Sequence, residues 1–384
     1  MLVTRIILKN WRNFRHVDVR LRERVFAIGP NASGKSNFLD VFRFLRDIAK
    51  PDGGGLQKAV KDRGGLSKMR SLAARREPEI SIEVHLADEE DSSTAWRYRL
   101  DIKQETRGFR QTYVSAEKAW HGGELILSRP DQQDEADSLR LTQTSLEQVN
   151  ENAKFRDIVR FFEGITYLHL VPQLLRYPEI FQGKVIESDP FGQGFLERVA
   201  KSSGRVQKSR LSRIESALKV AVPQLQQLRF ERDEDTGRPH LAALYSHWRP
   251  NAGWQREDQF SDGTLRIIGL LWSLLESDTL LLLEEPELSL NSSIVARLAP
   301  LIHRAQRQRR RQVIVSTHSL DLLADPGIDG REVLVLEPNV EGTSVSLLSE
   351  IADARRLLDA GLTAGEVGLP MTRPEQLDLL SALE

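Results

Sequence analysis

The stretch Gly29-Pro30-Asn31-Ala32-Ser33-Gly34-Lys35-Ser36, followed by Asn37, decides how this chain folds. It satisfies G-x-x-x-x-G-K-[ST] at every fixed position, and its flanks give the pattern meaning. Val25-Phe26-Ala27-Ile28 reads as a short buried strand, and Phe38, Phe42, Leu45 and Ala49 recur at helical spacing beyond Gly34. A strand running through a glycine loop into a helix lets backbone N–H groups wrap phosphates, with the helix N-terminus adding its positive end. In that geometry Lys35, in a solvent-facing loop, reaches β/γ-phosphates, and the Ser36 hydroxyl holds Mg²⁺. A bound nucleoside triphosphate, ATP with Mg²⁺, is the expectation.

A second run, T-L-L-L-L-E-E-P-E at 279–287, has the composition of a buried strand ending in paired acids. Glu284 at its tip is placed to hold Mg²⁺, and Glu285, one residue on, to polarise an attacking water. Two acids merely closing a strand is the plainer alternative, but burying both without a ligand is costly. Val313-Ile314-Val315-Ser316-Thr317-His318 is another buried strand, delivering His318 to the edge of a parallel sheet where α/β ligands collect. That position suits a γ-phosphate sensor. Ahead of a helix carrying Leu265, Ile268, Leu271 and Leu275 stands Phe260-Ser261-Asp262-Gly263-Thr264. Ser261 or Asp262 can cap that helix; equally, Ser261 and Gly263 at its N-terminus can donate to a γ-phosphate. Local sequence leaves both readings open.

Charge is balanced: 28% of residues are charged, yet the formal net charge is −1, so no global field draws the chain to nucleic acid or membrane. The absence of cysteine excludes disulfides and thiolate metal sites and suits a reducing cytosol. Met1–Arg5 has no signal-peptide core, and no run reaches the ~18 apolar residues of a membrane span. A cytoplasmic protein is expected.

Because the two phosphate motifs must meet, residues 1–50 and 255–345 form the halves of one α/β head. Residues 51–254 are then an inserted antiparallel β-meander and basic helical lobe, and 346–384 a C-terminal helical tail. Within the insert, Asp131–Asp137 reads as a loop. Two basic runs stand out. Seven Lys/Arg face one acid between Gln57 and Arg76, and eight face only Glu215 between Arg198 and Phe230. Arg198, Lys201, Arg205, Lys208 and Arg213 form a ridge that suits DNA phosphates, or simply a solvated face. The cluster Arg304–Arg311 ends a helix, where the helix dipole is explanation enough.

Together these motifs resemble the ABC-type P-loop ATPase heads of the RecF/SMC branch, in particular the stand-alone RecF-like and OLD-like "AAA family" ATPases of bacteria. The resemblance covers about residues 1–50 and 255–340, roughly half the chain. L-K-N-W-R-N-F at Leu8–Phe14 looks like the family's opening strand and turn, which implies that Arg12 and Asn13 lie near the nucleotide. Gly29–Ser36 matches Walker A, Leu280–Glu285 Walker B, Leu288–Asn291 the D-loop, and His318 the switch histidine. Gln173 is the candidate Q-loop glutamine, which would join Ser36 and Glu284 at Mg²⁺. Three departures are visible: the signature reads F-S-D-G-T, not the L-S-G-G-Q of transporter subunits, Walker B ends in Glu284 rather than aspartate, and the middle lacks the long coiled-coil arms of true SMC proteins. The resemblance implies an ATPase whose heads pair as a homodimer around ATP, acting as a switch on a separate effector such as a nuclease or toxin in bacterial defence. The stretch after Leu336 is too short for the TOPRIM-like nuclease domain of OLD-type relatives. A RecF-like DNA-binding repair ATPase and a non-catalytic ATP-dependent scaffold are the alternatives.

Overall fold

Alternating side chains at the N-terminus build the first layer. Strands β1 (Leu2–Trp11) and β2 (Phe14–Arg20) pair antiparallel, after which β3 (Arg24–Ile28) leaves for a different sheet. Four more strands, β4 (Ile80–Ala87), β5 (Trp96–Gln104), β6 (Thr112–His121) and β7 (Glu124–Arg129), complete a six-stranded antiparallel sheet of order β2-β1-β4-β5-β6-β7. The N-terminal strands therefore belong with the meander, not apart from it as the segment boundaries suggested. This is a computed structural model; it describes residues 1–373 apart from 52, 75–76, 91, 106–110, 177–191, 193, 247–253 and 277–278.

The second sheet holds β3 together with β8 (Thr166–Leu168), β12 (Leu281–Glu284), β13 (Val313–Ser316), β14 (Val333–Asn339) and β15 (Gly342–Leu347), in the order β15-β14-β3-β13-β12-β8. All neighbours are parallel except β14 with β15. Every residue of β3 and β13 is buried, as expected where both faces of a parallel sheet are covered. Val25 and Ala27 pack into a core shared with the antiparallel sheet and helix Lys35–Ala49. Phe26 and Ile28 face a second core with helices Asp262–Glu276 and Leu298–Arg309. Strand β8 lies within the segment read as an insert, yet it extends the head's sheet at its β12 edge. Three residues pairing through backbone alone leave little pattern to read.

The sheets are fastened by Gln312, 1% exposed. Its Oε1 accepts from Val3 N (2.9 Å), and its Nε2 donates to Val3 O and Arg22 O (2.8 Å each). A small third sheet, β9 (Leu225–Arg232), β10 (Pro239–Tyr245) and β11 (Gln255–Arg256), follows helices Phe195–Lys201 and Gly204–Ala221. Helices Ala352–Asp359 and Ala364–Gly368 are the last two α-helices among the described residues, with Val367 and Ala364 in the second core. Among the described residues, no helix is long and apolar enough to cross a membrane.

Two sequence expectations change. Arg311 lies beyond the helix that ends at Arg309 and is 2% exposed; it donates to Thr279 O (2.7 Å) and Ser273 O, so it ties the end of another helix rather than answering its own dipole. Gln132–Ala136 is a helix with a capping box, not a loop, because Asp134 is drawn inward to Arg129.

Arg129 bonds Glu117 (3.1 Å) and Asp134 (2.8 Å), and Tyr98 also donates to Glu117 (2.9 Å), with the three charged side chains at most 3% exposed. Removing one member of a buried ion cluster leaves uncompensated charge. Arg129→Met is therefore expected to lose about 3–5 kcal/mol of unfolding free energy in urea denaturation. A loss below about 1 kcal/mol, the level of a surface pair, would show that the cluster is solvated.

Candidate functional site

The parallel register places four strand ends at one edge. Gly29 follows β3, Glu284 ends β12, Thr317 and His318 follow β13, and His169 follows β8. The phosphate-loop sequence supplies its own bends: Ala32 and Gly34 take left-handed φ of 62° and 99°. At Gly34 a Cβ would also lie 2.1 Å from Asn13 Nδ2, so glycine is required twice over. Asn13 braces the loop, donating to Ser33 O (2.7 Å) and accepting from Asn37 Nδ2 (2.9 Å), while also reaching Thr343 (2.7 Å). Pro30 and Asn31 complete the turn; Ser33 N donates to Pro30 O (3.2 Å).

Lys35 is not in a solvent-facing loop. It is the first residue of its helix and 7% exposed, and its Nζ folds back onto Gly29 O (2.9 Å) and Pro30 O (3.1 Å). Burial lowers its pKa to about 8 despite the opposing charges of Glu285, Glu284 and Glu287. Ser36 Oγ donates to Glu284 Oε1 at 2.5 Å, and the Tyr167 hydroxyl donates to Glu284 Oε2. Burial first, then the Glu284 charge, pushes the Tyr167 phenol up, so it stays a donor.

Glu285 adopts a left-handed φ of 43°, rare for a residue with a side chain, with its N–H on Ser316 O (3.0 Å). Its carboxylate lies 3.6 Å from His318 Nε2. Burial lowers the His318 pKa, the Lys35 charge lowers it further, and Glu285 opposes both. Glu287 anchors this corner: it accepts from Thr317 Oγ1 (2.6 Å) and His318 N (3.1 Å), and burial raises its pKa.

Other candidates are placed differently. Arg12 bonds Asp40 (3.0 Å) on the helix after the loop, rather than the loop itself. Gln173 donates to Asp262 (3.3 Å), and Tyr167, not Gln173, donates to Glu284. Asp262 also pairs with Arg176 (2.6 Å). Ser261 Oγ accepts from Thr264 N (3.1 Å), an N-cap bond, and a Cβ on Gly263 would sit 2.9 Å from Ser289 O. The glycine thus has a reason within its own chain: close approach of the Leu288–Asn291 turn.

A hydroxyl and a carboxylate oxygen 2.5 Å apart, both hard donors beside the phosphate loop, suit Mg²⁺, which takes one or two carboxylates plus substrate phosphates. Sequence alone does not mark Tyr167, Thr317 or Glu287 as lying at this edge. Glu287 stands in the quoted E-E-P-E run, but its partners come from β13; Tyr167 carries no motif signal.

The fold resembles solved SMC heads. One, the SMC head bound to the C-winged helix domain of ScpA, is 13% identical with a TM-score of 0.53, covering 90% of this chain and 98% of that one. Another, the SMC head with an extended coiled coil bound to the C-terminal domain of ScpA derived from Pyrococcus furiosus, is 15% identical with a TM-score of 0.51, covering 93% and 98%. No curated protein matches. The fold is that of the ABC-type P-loop heads of SMC proteins. Residues 28–325 match the family described as "AAA domain, putative AbiEii toxin, Type IV TA system", and the chain belongs to that family.

Lys35 gives the site a pH signature. Below about 8 it is already charged; above, a triphosphate must draw a proton onto it, so ATP affinity should fall by up to about tenfold per pH unit. Lys35→Arg stays charged and should bind with flat affinity between about pH 7 and 9. Calorimetry in buffers of different ionisation enthalpy reads the proton uptake. PH-independent binding by the wild type would separate Lys35 from the phosphates.

Proposed function

We propose that this chain is an ATP-hydrolysing switch whose heads pair around ATP and control a separate effector. The observation that carries the reading is the convergence of Lys35, the Ser36–Glu284 pair, Glu285 and His318 on one sheet edge. In this reading the backbone of Gly29–Gly34 wraps the phosphates, braced by Asn13 and Asn37, and Lys35 leaves the loop carbonyls for the β/γ-phosphates. Ser36 and Glu284 hold Mg²⁺, which neutralises phosphate charge when bound. Glu285 takes the proton of the attacking water, and His318 reports the γ-phosphate across its 3.6 Å gap to Glu285. Metal contact by Gln173 requires it to leave Asp262, and Arg12 acts at a distance through Asp40.

Pairing of heads gives Ser261 and Gly263 a partner nucleotide in addition to their roles as cap and close-packing residue. A nearby-encoded toxin or nuclease effector fits the family's toxin–antitoxin description. Glu285→Gln should retain ATP binding, slow turnover by about 10²-fold and accumulate an ATP-bound dimer in light scattering. Undiminished turnover would move the base elsewhere, with His318 the first suspect; no turnover even in the wild type would leave an ATP-dependent scaffold.

One observation favours DNA binding as a second reading. Arg213 donates to Gln308 (2.5 Å), joining the exposed Arg205–Lys208 face of one helix to the Arg304–Arg310 end of another. Part of this basic run is spent internally, since Arg198 pairs with Glu276 (3.7 Å) and Lys219 with Glu215 (2.6 Å). In the other run Arg63 is bound to Asp40 and Asp47 (2.9 and 3.0 Å), and Arg75 and Arg76 lie outside the described residues. Duplex affinity falling steeply with salt and lost in Arg205→Ala/Lys208→Ala would favour this reading; salt-insensitive or absent binding would remove it.

A further inference from the structure

Glu284 is one methylene longer than the aspartate usual at its position, so it has an extra rotor to fix before its carboxylate can serve a cation. The structure shows what fixes it. Ser36 Oγ holds Oε1 at 2.5 Å and the Tyr167 hydroxyl holds Oε2, so the carboxylate is pinned from both sides. Tyr167 is itself held: it is 7% exposed within the first core, and the Arg43 guanidinium lies 4.1 Å over its ring. Arg43 in turn faces Asp40 (3.8 Å), which also receives Arg12 and Arg63. The backbone fixes the phenol from below, because Leu168, the next residue, is in register with Leu283, and Tyr167 with Leu282.

We propose that Tyr167 is a positioning residue for the cation site: by occupying Oε2 of Glu284 it leaves Oε1 as the single oxygen offered beside Ser36. A cation can replace the Ser36–Oε1 hydrogen bond without disturbing the Tyr167–Oε2 bond. Loss of the phenol frees the carboxylate to rotate or to turn both oxygens toward the cation, and either weakens a site that needs one. Partners that orient metal ligands in this way are typically worth 10–100-fold in metal affinity. The inference rests on the reading of Ser36 and Glu284 as cation ligands.

The test uses the full chain and Tyr167→Phe, which keeps the ring under Arg43 and removes only the hydroxyl. Mn²⁺ affinity is measured by electron paramagnetic resonance with a non-hydrolysable ATP analogue, and turnover is measured against Mg²⁺ concentration. Tyr167→Phe is expected to weaken Mn²⁺ about tenfold and raise the half-saturating Mg²⁺ similarly, with kcat at saturating Mg²⁺ and metal-free nucleotide affinity near wild type. A packing defect would instead lower kcat and stability with no change in the metal profile. In a Glu284→Asp background, where the carboxylate is one methylene further back, Tyr167→Phe should change Mn²⁺ affinity less than about twofold. Wild-type Mn²⁺ affinity in Tyr167→Phe, with binding abolished in Glu284→Gln, overturns the role of Tyr167 alone. Unaltered Mn²⁺ binding in Glu284→Gln overturns the ligand reading, and this inference with it.

Discussion

Strand β3 is the constraint on which the rest depends. It pairs on one side with β13 and on the other with β14, both from the far end of the chain, and all five of its residues are buried. Such pairing closes very long loops, and the energy that repays it is apolar: alternate β3 residues fill two different cores. Once β3 lies parallel to β13 and β12, the phosphate loop, Glu284 and His318 must emerge at the same edge. Gln312 strengthens this by bonding both Val3 and Arg22, so the approach to β3 is fixed to the base of β13.

At that edge, opposite charges are crowded under partial burial. Lys35 and His318 both have lowered pKa values, with desolvation the first cause in each, while Glu287 is raised for the same reason. Desolvation makes each interaction stronger and each unpaired charge more costly. Glu285 adds conformational strain: its φ is left-handed, and its N–H is held by Ser316 O. That conformation sets the Glu285 carboxylate 3.6 Å from His318 Nε2.

The segment Ser261–Gly263 is fixed by contacts within its own chain. Ser261 caps its own helix, Asp262 joins Arg176 and Gln173, and Gly263 admits the turn at Ser289. These contacts tie the helix N-terminus to the helix Pro172–Arg176 and to the turn after β12. A rigid N-terminus is what any phosphate-facing role across a head–head contact needs, because its dipole and N–H groups act only at short range. Capping and phosphate binding are therefore compatible.

What the sequence determined by itself was whatever local periodicity and composition can carry. The glycine loop between a buried strand and an amphipathic helix, the apolar runs ending in Glu284 and in Thr317-His318, and the α/β class all follow from nearest-neighbour physics. The tertiary structure decided the partners. Tyr167 meets Glu284, Glu287 meets Thr317, and Arg311 ties the end of a distant helix, each through a contact with no trace in local spacing. It also decided which sheet each strand joins: β1 and β2 pair with the meander, and three-residue β8 completes the head. Strand pairing is a long-range choice set by which buried faces fit together, and a single strand's sequence specifies its faces but not its neighbour.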